Sequence, residues 1–264
     1  MPQDPPSGGV QAAAVPTWIV VPCYNEEHRL DRQAFEDHLR DRPEVGFIFV
    51  NDGSRDATLT VLHALGERCP HRVQVIDQQP NQGKAEAVRT GMLRGLTNGC
   101  SFAGYFDADL ATPLDAIEDL LRVMRDERGI DIVMGARVAM LGRAIRRSPF
   151  RHYAGRAFAT AASLALSLPV YDTQCGAKLF RANDVTRDLF ARPFRSRWIF
   201  DVELLARYLV ATGSPAGISE LPLRQWTDKG DSRLRAIDAL RAMGEIAQIG
   251  REYRARSKQR RASR

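Results

Sequence analysis

Short apolar runs alternate with longer segments of helical spacing along the first half of the chain. The apolar runs read as buried strands at Thr17–Cys23, Val45–Val50, Val73–Ile76, Phe102–Phe106 and Ile130–Met134. The segments between them read as helices at Leu30–Leu39, Asp56–Leu65, Lys84–Leu96 and Leu114–Met124. This alternation is typical of a parallel sheet covered on both faces. We therefore predict an α/β three-layer sandwich with a mainly parallel central sheet.

The second half of the chain shows no linker and no internal repeat. We expect helices at Tyr153–Leu168 and Leu234–Tyr253, and another that follows the Arg197–Glu203 run and ends at Val210. Strands are expected at Lys178–Phe180 and Gly217–Leu223. A Pro-, Gly- and Ala-rich composition predicts a disordered lead over residues 1–15. We predict one domain over residues 16–250, followed by a basic tail over 251–264.

Polar clusters follow the ends of four predicted strands or the loops just beyond them. These clusters are Tyr24-Asn-Glu, Asn51-Asp-Gly-Ser, Asn81-Gln-Gly-Lys and Asp107-Ala-Asp. In open α/β sheets, ligands bind beyond the carboxyl ends of the strands. The four clusters are therefore expected to converge on one rim of the sheet.

Asp107 and Asp109 are candidate ligands of a divalent cation. Residues one apart on an extended strand point in opposite directions, so a bend must turn both carboxylates toward one ion. Hard cations take carboxylate oxygens and share them with a substrate diphosphate. The alternative is a strand end before a helix N-terminus, where acidic residues are common.

A nucleotide site would also need an acceptor for a base N–H and a cation beside the diphosphate. Asp52 can supply the first, and Lys84 or Arg137 the second, although Asp52 also suits an ordinary turn. Lys84 could be a plain first-turn residue, but a cation there opposes the helix dipole. The chain has neither a Walker A loop nor an early G-x-G-x-x-G motif, which argues against a nicotinamide dinucleotide.

The charge distribution narrows the class of partner. The net charge is +6, and residues 251–264, with seven Lys or Arg and one Glu, carry all of it. A near-neutral body argues against a nucleic-acid groove, so we expect no nucleic-acid partner. A basic tail suits solvent or anionic lipid. The four cysteines form no C-x-x-C pair, which favours reduced thiols in a cytoplasmic protein.

The ordered motifs resemble family 2 glycosyltransferases of the GT-A fold. The motifs are Val21-Pro-Cys-Tyr-Asn-Glu, Val50-Asn-Asp-Gly-Ser-Arg-Asp, Asn81-Gln-Gly-Lys and Phe106-Asp-Ala-Asp. Two later runs, Asp172-Thr-Gln-Cys-Gly with Lys178-Leu-Phe and Arg197-Trp-Ile-Phe-Asp-Val-Glu, look like the dolichyl-phosphate glucosyltransferase branch. The resemblance implies an inverting transfer of a hexose from a nucleotide sugar, with Mg2+ or Mn2+ as cofactor.

The resemblance also assigns roles to individual positions. The nucleotide pocket would be lined by Pro22, Tyr24, Glu26, Asp52, Lys84 and Asp107. Asp109 would bind the metal ion together with Asp107, and the metal would neutralise charge on the leaving diphosphate. Ala111 stands where mannosyl-type relatives often have Gln, so it offers no third side-chain ligand.

Asp172 and Asp201 are the candidates on the acceptor side. A hydroxyl acceptor would need one of them as a general base. A polyprenyl phosphate is already an anion, and arginines would then hold it. We expect Arg137 and Arg197 in this role, and give less weight to Arg143, Arg146 and Arg151.

UDP-glucose and a polyprenyl phosphate are the expected donor and acceptor. Relatives of this branch usually carry a membrane anchor, and this chain shows none, which weakens the expectation of a lipid acceptor without excluding it. We expect a cytoplasmic protein. Peripheral contact with the inner face of the membrane, through the basic C-terminal helix and tail, remains open beside simple packing of that helix on the sheet. Alternatives are a soluble transferase with a glycan or small-molecule acceptor, and a non-catalytic protein that binds a sugar nucleotide.

Overall fold

The computed structural model describes residues 16–146, 149–229 and 236–262, in which the chain forms nine strands and eight helices. The strands are β1 (Thr17–Cys23), β2 (Val45–Asp52), β3 (Val73–Gln78), β4 (Phe102–Phe106), β5 (Ile132–Ala136), β6 (Ala144–Arg146), β7 (Ala177–Arg181), β8 (Ile218–Pro222) and β9 (Gln225–Thr227). The helices are α1 (Arg32–Asp41), α2 (Thr58–Arg68), α3 (Lys84–Thr97), α4 (Ala116–Asp126), α5 (Pro149–Leu166), α6 (Asp184–Ala191), α7 (Phe200–Thr212) and α8 (Ala236–Ala262). The lead predicted over residues 1–15 lies outside the described residues.

Seven strands form one central sheet in the order β3-β2-β1-β4-β7-β5-β8. Strand β7 is antiparallel to both of its neighbours, and the other four pairings are parallel. The prediction of a mainly parallel sheet is therefore confirmed. Strands β6 and β9 form a separate two-stranded ribbon.

The sheet is buried on both faces because its strands are apolar at successive positions. In β2, Phe47 and Phe49 pack on one face, where the ring of Phe35 from α1 lies 5.1 Å from each of theirs. Ile48 and Val50 pack on the other face, in the layer that includes α3 and α7. Successive side chains of a strand point to opposite faces, so a continuous apolar run serves both helical layers.

The structure corrects the prediction for the C-terminal end of the chain. Helix α8 does not end at Tyr253 but continues to Ala262, so most of the predicted basic tail is helical. Arg195 pairs with Glu252, and Arg260 donates to the backbone carbonyl of Val210, which ties this end to the body. Helix α6 and strands β6 and β9 were not predicted, because they are short and only weakly periodic.

Helices α5 and α8 pack on the core rather than standing apart from it. Ile246 and Ile249 of α8 are buried in the same apolar cluster as Ala162 and Leu166 of α5. Ile246 and Ile249 of α8 are thus covered by protein, whereas the apolar side chain of Met243 and the basic side of the helix are exposed. No helix in the described part of the chain is long and apolar enough to cross a membrane.

Candidate functional site

Polar side chains from three strand ends and one loop meet in a cleft of about 430 Å³ at one rim of the sheet. The cleft is lined by Pro22, Cys23, Tyr24, Glu26, Asp52, Asn81, Gly83, Lys84, Asp107, Ala108, Asp109, Arg197 and Trp198. All residues predicted for nucleotide and metal binding are among them, and so is Arg197. The predicted convergence of the four clusters on one rim is therefore confirmed.

A bend after β4 brings both Asp107 and Asp109 into the cleft. The strand ends at Phe106, and Leu110 adopts a positive φ of 51°. The backbone N–H of Ala111 donates to Asp109 Oδ1 over 2.9 Å, which fixes that carboxylate. Burial, reinforced by the charge of Asp107, raises the pKa of Asp109. A carboxylate whose ionised form is disfavoured by burial and by a neighbouring acid suits a bound cation.

Lys84 pairs with one of these carboxylates. Its Nζ lies 2.5 Å from Asp107 Oδ1, at the first residue of α3. Burial acts to lower the pKa of Lys84, but the negative charges of Asp107, Asp201 and Asp109 outweigh it and raise that pKa. Lys84 therefore stays charged and holds Asp107 in place, whether or not it also contacts a phosphate.

Asp107 also rests directly on Gly176. Its backbone N–H donates to the carbonyl of Gly176 over 3.1 Å. A Cβ atom at position 176 would lie only 1.9 Å from Asp107 Oδ2, so the carboxylate occupies the space that a side chain would fill. The Asp172–Gly176 segment thus forms the support behind the first cleft acid.

The carboxylate of Asp52 is hydrogen-bonded to the end of β3 and to the loop that follows it. Its oxygens accept hydrogen bonds from the side-chain amides of Gln78 and Asn81 and from the backbone N–H groups of Gln82 and Gly83, over 2.8 to 3.0 Å. A carboxylate has about four acceptor positions, and these bonds use them. In this geometry Asp52 shapes the loop that walls the cleft, and contact with a base would require one of these bonds to be exchanged.

Glu26 is the fourth acid that lines the cleft, beside Asp52, Asp107 and Asp109. Burial, together with the charges of Asp109 and Asp107, raises the pKa of Glu26 to about 7, against the opposing effect of Arg29. Its Oε2 is buried without a hydrogen-bond donor, and Arg29 Nε lies 3.5 Å away. The cleft is lined by four acidic side chains and by two cationic ones, Lys84 and Arg197. A bound cation would reduce this excess of acidic groups.

The donor set fits a divalent cation that is shared with a substrate. Within the described residues, no group of three or more His, Cys, Asp or Glu side chains has the geometry to hold a metal ion. Asp107 and Asp109 therefore form an incomplete shell. Mg2+ is commonly held by one or two carboxylates, with substrate phosphates and water completing its coordination. Carboxylate oxygens facing a cleft meet that description.

Arg137 and Asp172, predicted on the acceptor side, form a closed pair outside the residues that line the cleft. Arg137 Nε donates to Asp172 Oδ2 over 2.6 Å, and Arg137 Nη2 donates to Oδ1 over 2.8 Å. Burial acts to raise the pKa of Asp172, but its hydrogen bonds with Arg137 lower it to about 2. A carboxylate with so low a pKa is a weak base, and its partner's charge is already neutralised.

Asp201 is also closed, beneath the cleft. Its Oδ1 lies 2.6 Å from Lys178 Nζ and accepts a hydrogen bond from the hydroxyl of Tyr105. Lys178 is completely buried, and only 5% of Asp201 is exposed. A group without access to the cleft cannot contact an acceptor there. The expectation that Asp201 serves as a general base therefore finds no support in this geometry.

Arg197, predicted to hold an acceptor phosphate, lines the cleft next to the loop at Gly83. Its side chain packs against Gly83, where an added Cβ would lie 3.1 Å from Arg197 Cδ, so it borders the nucleotide loop. Trp198, which was not predicted, lines the same cleft with 76% of its surface exposed. Arg143 and Arg146 lie outside the cleft lining, and the side chain of Arg151 lies outside the described part of the structure.

Sequence reasoning missed the side chains that support the site. Lys178 reads as one polar residue in a short apolar strand, and Glu220 as one acid in β8. Glu220 accepts hydrogen bonds from the backbone N–H groups of Tyr171 and Asp172 over 2.7 and 2.8 Å. A lysine inside a buried strand is itself a signal, because such a charge requires a partner. The partner's identity is not readable from the sequence.

Comparison with known proteins places these motifs in a family. Residues 18–186 match the model described as "Glycosyl transferase family 2". The chain is 37% identical over 242 residues to a dolichyl-phosphate beta-glucosyltransferase of Drosophila melanogaster, which covers 86% of this chain and 71% of that protein. It is 32% identical over 234 residues to the dolichyl-phosphate beta-glucosyltransferase of Homo sapiens, with coverage of 82% and 68%.

Solved structures show the same architecture. The chain is similar to glucosyl-3-phosphoglycerate synthase of Mycobacterium tuberculosis in complex with UDP, with a TM-score of 0.62, 19% identity, and coverage of 93% of this chain and 81% of that one. A complex of that enzyme with Mn2+ and UDP-glucose gives a TM-score of 0.60 at 21% identity, with coverage of 88% and 76%. At this identity the likeness shows the fold alone, and it confirms the fold predicted from the sequence.

Proposed function

We propose that this chain, which belongs to glycosyl transferase family 2, transfers glucose from UDP-glucose to a polyprenyl phosphate. Within the family it belongs to the dolichyl-phosphate beta-glucosyltransferase branch, and it is therefore a hexosyltransferase. The transfer inverts the anomeric centre and depends on Mg2+ or Mn2+. The names of the relatives support the acceptor. The UDP-glucose and Mn2+ complex of the structural neighbour agrees with the donor and metal.

The observation that carries the acceptor proposal is the closure of Asp172 and Asp201. A hydroxyl acceptor must lose a proton as it attacks, so it needs a base in contact with it. Asp172 is held by Arg137 with a pKa of about 2, and Asp201 is buried against Lys178. A phosphate oxygen already carries negative charge and attacks without such help. The closed state of both candidate bases therefore favours an anionic acceptor.

On the donor side, the proposed roles follow the cleft. Pro22, Tyr24 and Glu26 line the nucleoside part, and the loop held by Asp52 forms its wall. Asp109 and Asp107 would hold the metal ion, whose Lewis acidity would neutralise charge on the leaving diphosphate. Lys84 keeps Asp107 oriented. Arg197, beside Gly83, would contact the donor diphosphate rather than the acceptor.

A donor and acceptor screen tests the proposal. UDP or GDP release is measured from a panel of sugar nucleotides, with a short-chain polyprenyl phosphate or with glycan acceptors, and with Mn2+ or a chelator. We expect UDP release only with UDP-glucose, the polyprenyl phosphate and the metal. Release that requires a glycan would instead support the transferase with a non-lipid acceptor. Sugar-nucleotide binding without release under any condition would revive the non-catalytic alternative.

Membrane contact belongs to this proposal as a separate step. Exposed basic side chains of α8, such as Arg251, Arg256 and Lys258, provide the charge that would attract anionic headgroups. We expect the protein to float with vesicles that contain anionic lipid at low salt, and to be released at high salt. Flotation with neutral vesicles, or no flotation with any vesicles, would show that the basic side of α8 does not bind anionic lipid.

A further inference from the structure

A buried ion pair lies directly beneath the cleft. Lys178 is the second residue of β7, opposite Tyr105 in β4, and Asp201 is in the first turn of α7. Tyr105 and Lys178 are completely buried, and Lys178 Nζ lies 5.4 Å from the centre of the tyrosine ring. The pairing register of the two strands thus places a cation and a hydroxyl side by side, and α7 brings the carboxylate.

Such a pair adds little to stability by itself. Removing two charges from water costs as much as their attraction returns, and apolar residues of similar volume often stabilise a core as well. The position of the pair is therefore more informative than its energy. Lys178 Nζ also donates a hydrogen bond to the carbonyl oxygen of Cys175 over 2.6 Å, so it fixes a backbone group as well as a carboxylate.

The backbone that Lys178 holds is the support of the cleft acid. Gly176, the residue after Cys175, accepts the hydrogen bond from Asp107 N–H and touches the Asp107 carboxylate. Asp107 is in turn held from the cleft side by Lys84. A continuous series of contacts therefore joins Asp201, through Lys178 and the Cys175–Gly176 peptide, to a cleft carboxylate.

We propose that Asp201 and Lys178 are positioning residues, which hold the Cys175–Gly176 peptide against Asp107 and so set the geometry in which the cleft acids bind the metal–diphosphate group. Asp201 then acts through its neighbours and transfers no proton. This inference rests on the proposed donor site. It assigns Asp201 a role different from the one expected from the sequence, and it includes Lys178.

The test compares Asp201→Asn and Lys178→Met with a matched control, Glu203→Gln. Glu203 is on the same helix, is buried, and pairs with Arg207 over 2.8 Å, but it does not line the cleft. Calorimetry measures UDP affinity with and without Mn2+, thermal unfolding measures stability, and kcat and KM are determined separately. We expect Asp201→Asn and Lys178→Met to weaken UDP–Mn2+ binding by about tenfold or more, as loss of a supporting shell does, with a matching rise in the donor KM. Glu203→Gln should lower stability and leave that affinity unchanged.

The double variant Asp201→Asn/Lys178→Met separates positioning from packing. It removes both charges, so stability should exceed that of either single variant, while UDP–Mn2+ affinity should stay low because the Cys175 carbonyl has lost its donor. Affinity that recovers together with stability would overturn the inference. So would equal weakening by Glu203→Gln, or a loss confined to kcat in Asp201→Asn, which would mark a general base.

The wild-type protein separates the two proposals. If it binds UDP with Mn2+ and the variants bind equally well, the positioning inference is wrong and the donor site stands. If it binds no UDP with or without Mn2+, the donor proposal is wrong, and the inference is wrong with it because there is no donor site to position.

Discussion

The open cleft and the closed pairs beneath it use the same residue type for different purposes. Asp107 and Asp109 line the cleft with about a third and a quarter of their side chains exposed, at 35% and 26%. The side chains of Asp172 and Asp201, taken without their backbone atoms, are only 8% and 7% exposed, and each is paired with a buried or nearly buried cation. Exposure and pairing therefore separate acids that can bind a ligand from acids that hold the structure around it.

The difference also explains how the two regions depend on each other. Burial and the charges of neighbouring acids raise the pKa of Asp109 and of Glu26, so the ionised forms of these two acids are disfavoured in the free protein. The closed acids have their counter-charge already. Because the Asp172–Gly176 segment packs behind Asp107, the region of the closed pairs supports the position of a cleft carboxylate. Substitutions in the two regions should consequently produce different kinds of defect.

The largest expected effect is on activity, from Asp109→Ala. Removal of this carboxylate leaves Asp107 as the only acid of the bent segment, so metal-dependent turnover should fall by at least about a hundredfold. The unfolding temperature should change little, since Asp109 is partly exposed. Initial rates over a Mn2+ titration and thermal unfolding measure the two quantities. Asp115→Ala, an exposed acid outside the cleft, is the control; an equal loss there, or full activity of Asp109→Ala, would refute the metal role.

The next effect is on stability, from Asp172→Asn. The change leaves the nearly buried guanidinium of Arg137 without its counter-charge, and breaking a buried pair costs about 3 to 5 kcal/mol. Urea unfolding at neutral pH measures this loss. Asp119→Asn breaks ion pairs with the exposed Arg122 and Arg224, and should cost less than about 1 kcal/mol. Similar losses in both variants would mean that Arg137 and Asp172 are not closed in solution.

A smaller loss of folding stability is expected at low pH. The pKa of Asp172 lies below its ordinary value of 3.8, at about 2. The pair therefore stabilises the fold above pH 4, and this contribution of roughly 2 kcal/mol is lost as the pH falls from about 4 to 2. Urea unfolding at several pH values in that range should show a steeper loss for the wild type than for Asp172→Asn. Parallel curves would contradict the assigned pKa.

The smallest effect is expected from Lys84→Met, which removes one of the two cationic side chains that line the cleft. Lys84 is partly exposed, so the loss of its pair with Asp107 should change stability by less than about 1 kcal/mol. UDP affinity in the presence of Mn2+ should fall by about tenfold, because Asp107 loses a restraint and the diphosphate loses a nearby cation. Calorimetry measures the affinity. Arg94→Met, on the same helix and outside the cleft, should leave it unchanged.

Much of the fold could be predicted because its signal is local. Each apolar run of β1 to β5 and each helix from α1 to α4 carries its own periodicity, and the strand ends carry the turn residues. The errors fall where the signal is weak or tertiary. Strand β7 enters the sheet between β4 and β5 in the antiparallel direction, which no local pattern specifies. The basic end of α8 is held by contacts with Arg195 and Val210 that are distant in sequence.

The order of the motifs along the chain was enough to predict which side chains could reach one rim, because parallel strands deliver their carboxyl ends to the same edge of a sheet. The motifs themselves indicated the acid pair at Asp107 and Asp109 and the resemblance to a family. Which aspartates are open and which are closed depends on contacts that form when the chain folds. The partners of Asp172 and Asp201 come from other elements, and a carboxylate's availability depends on the charge and burial that those elements impose.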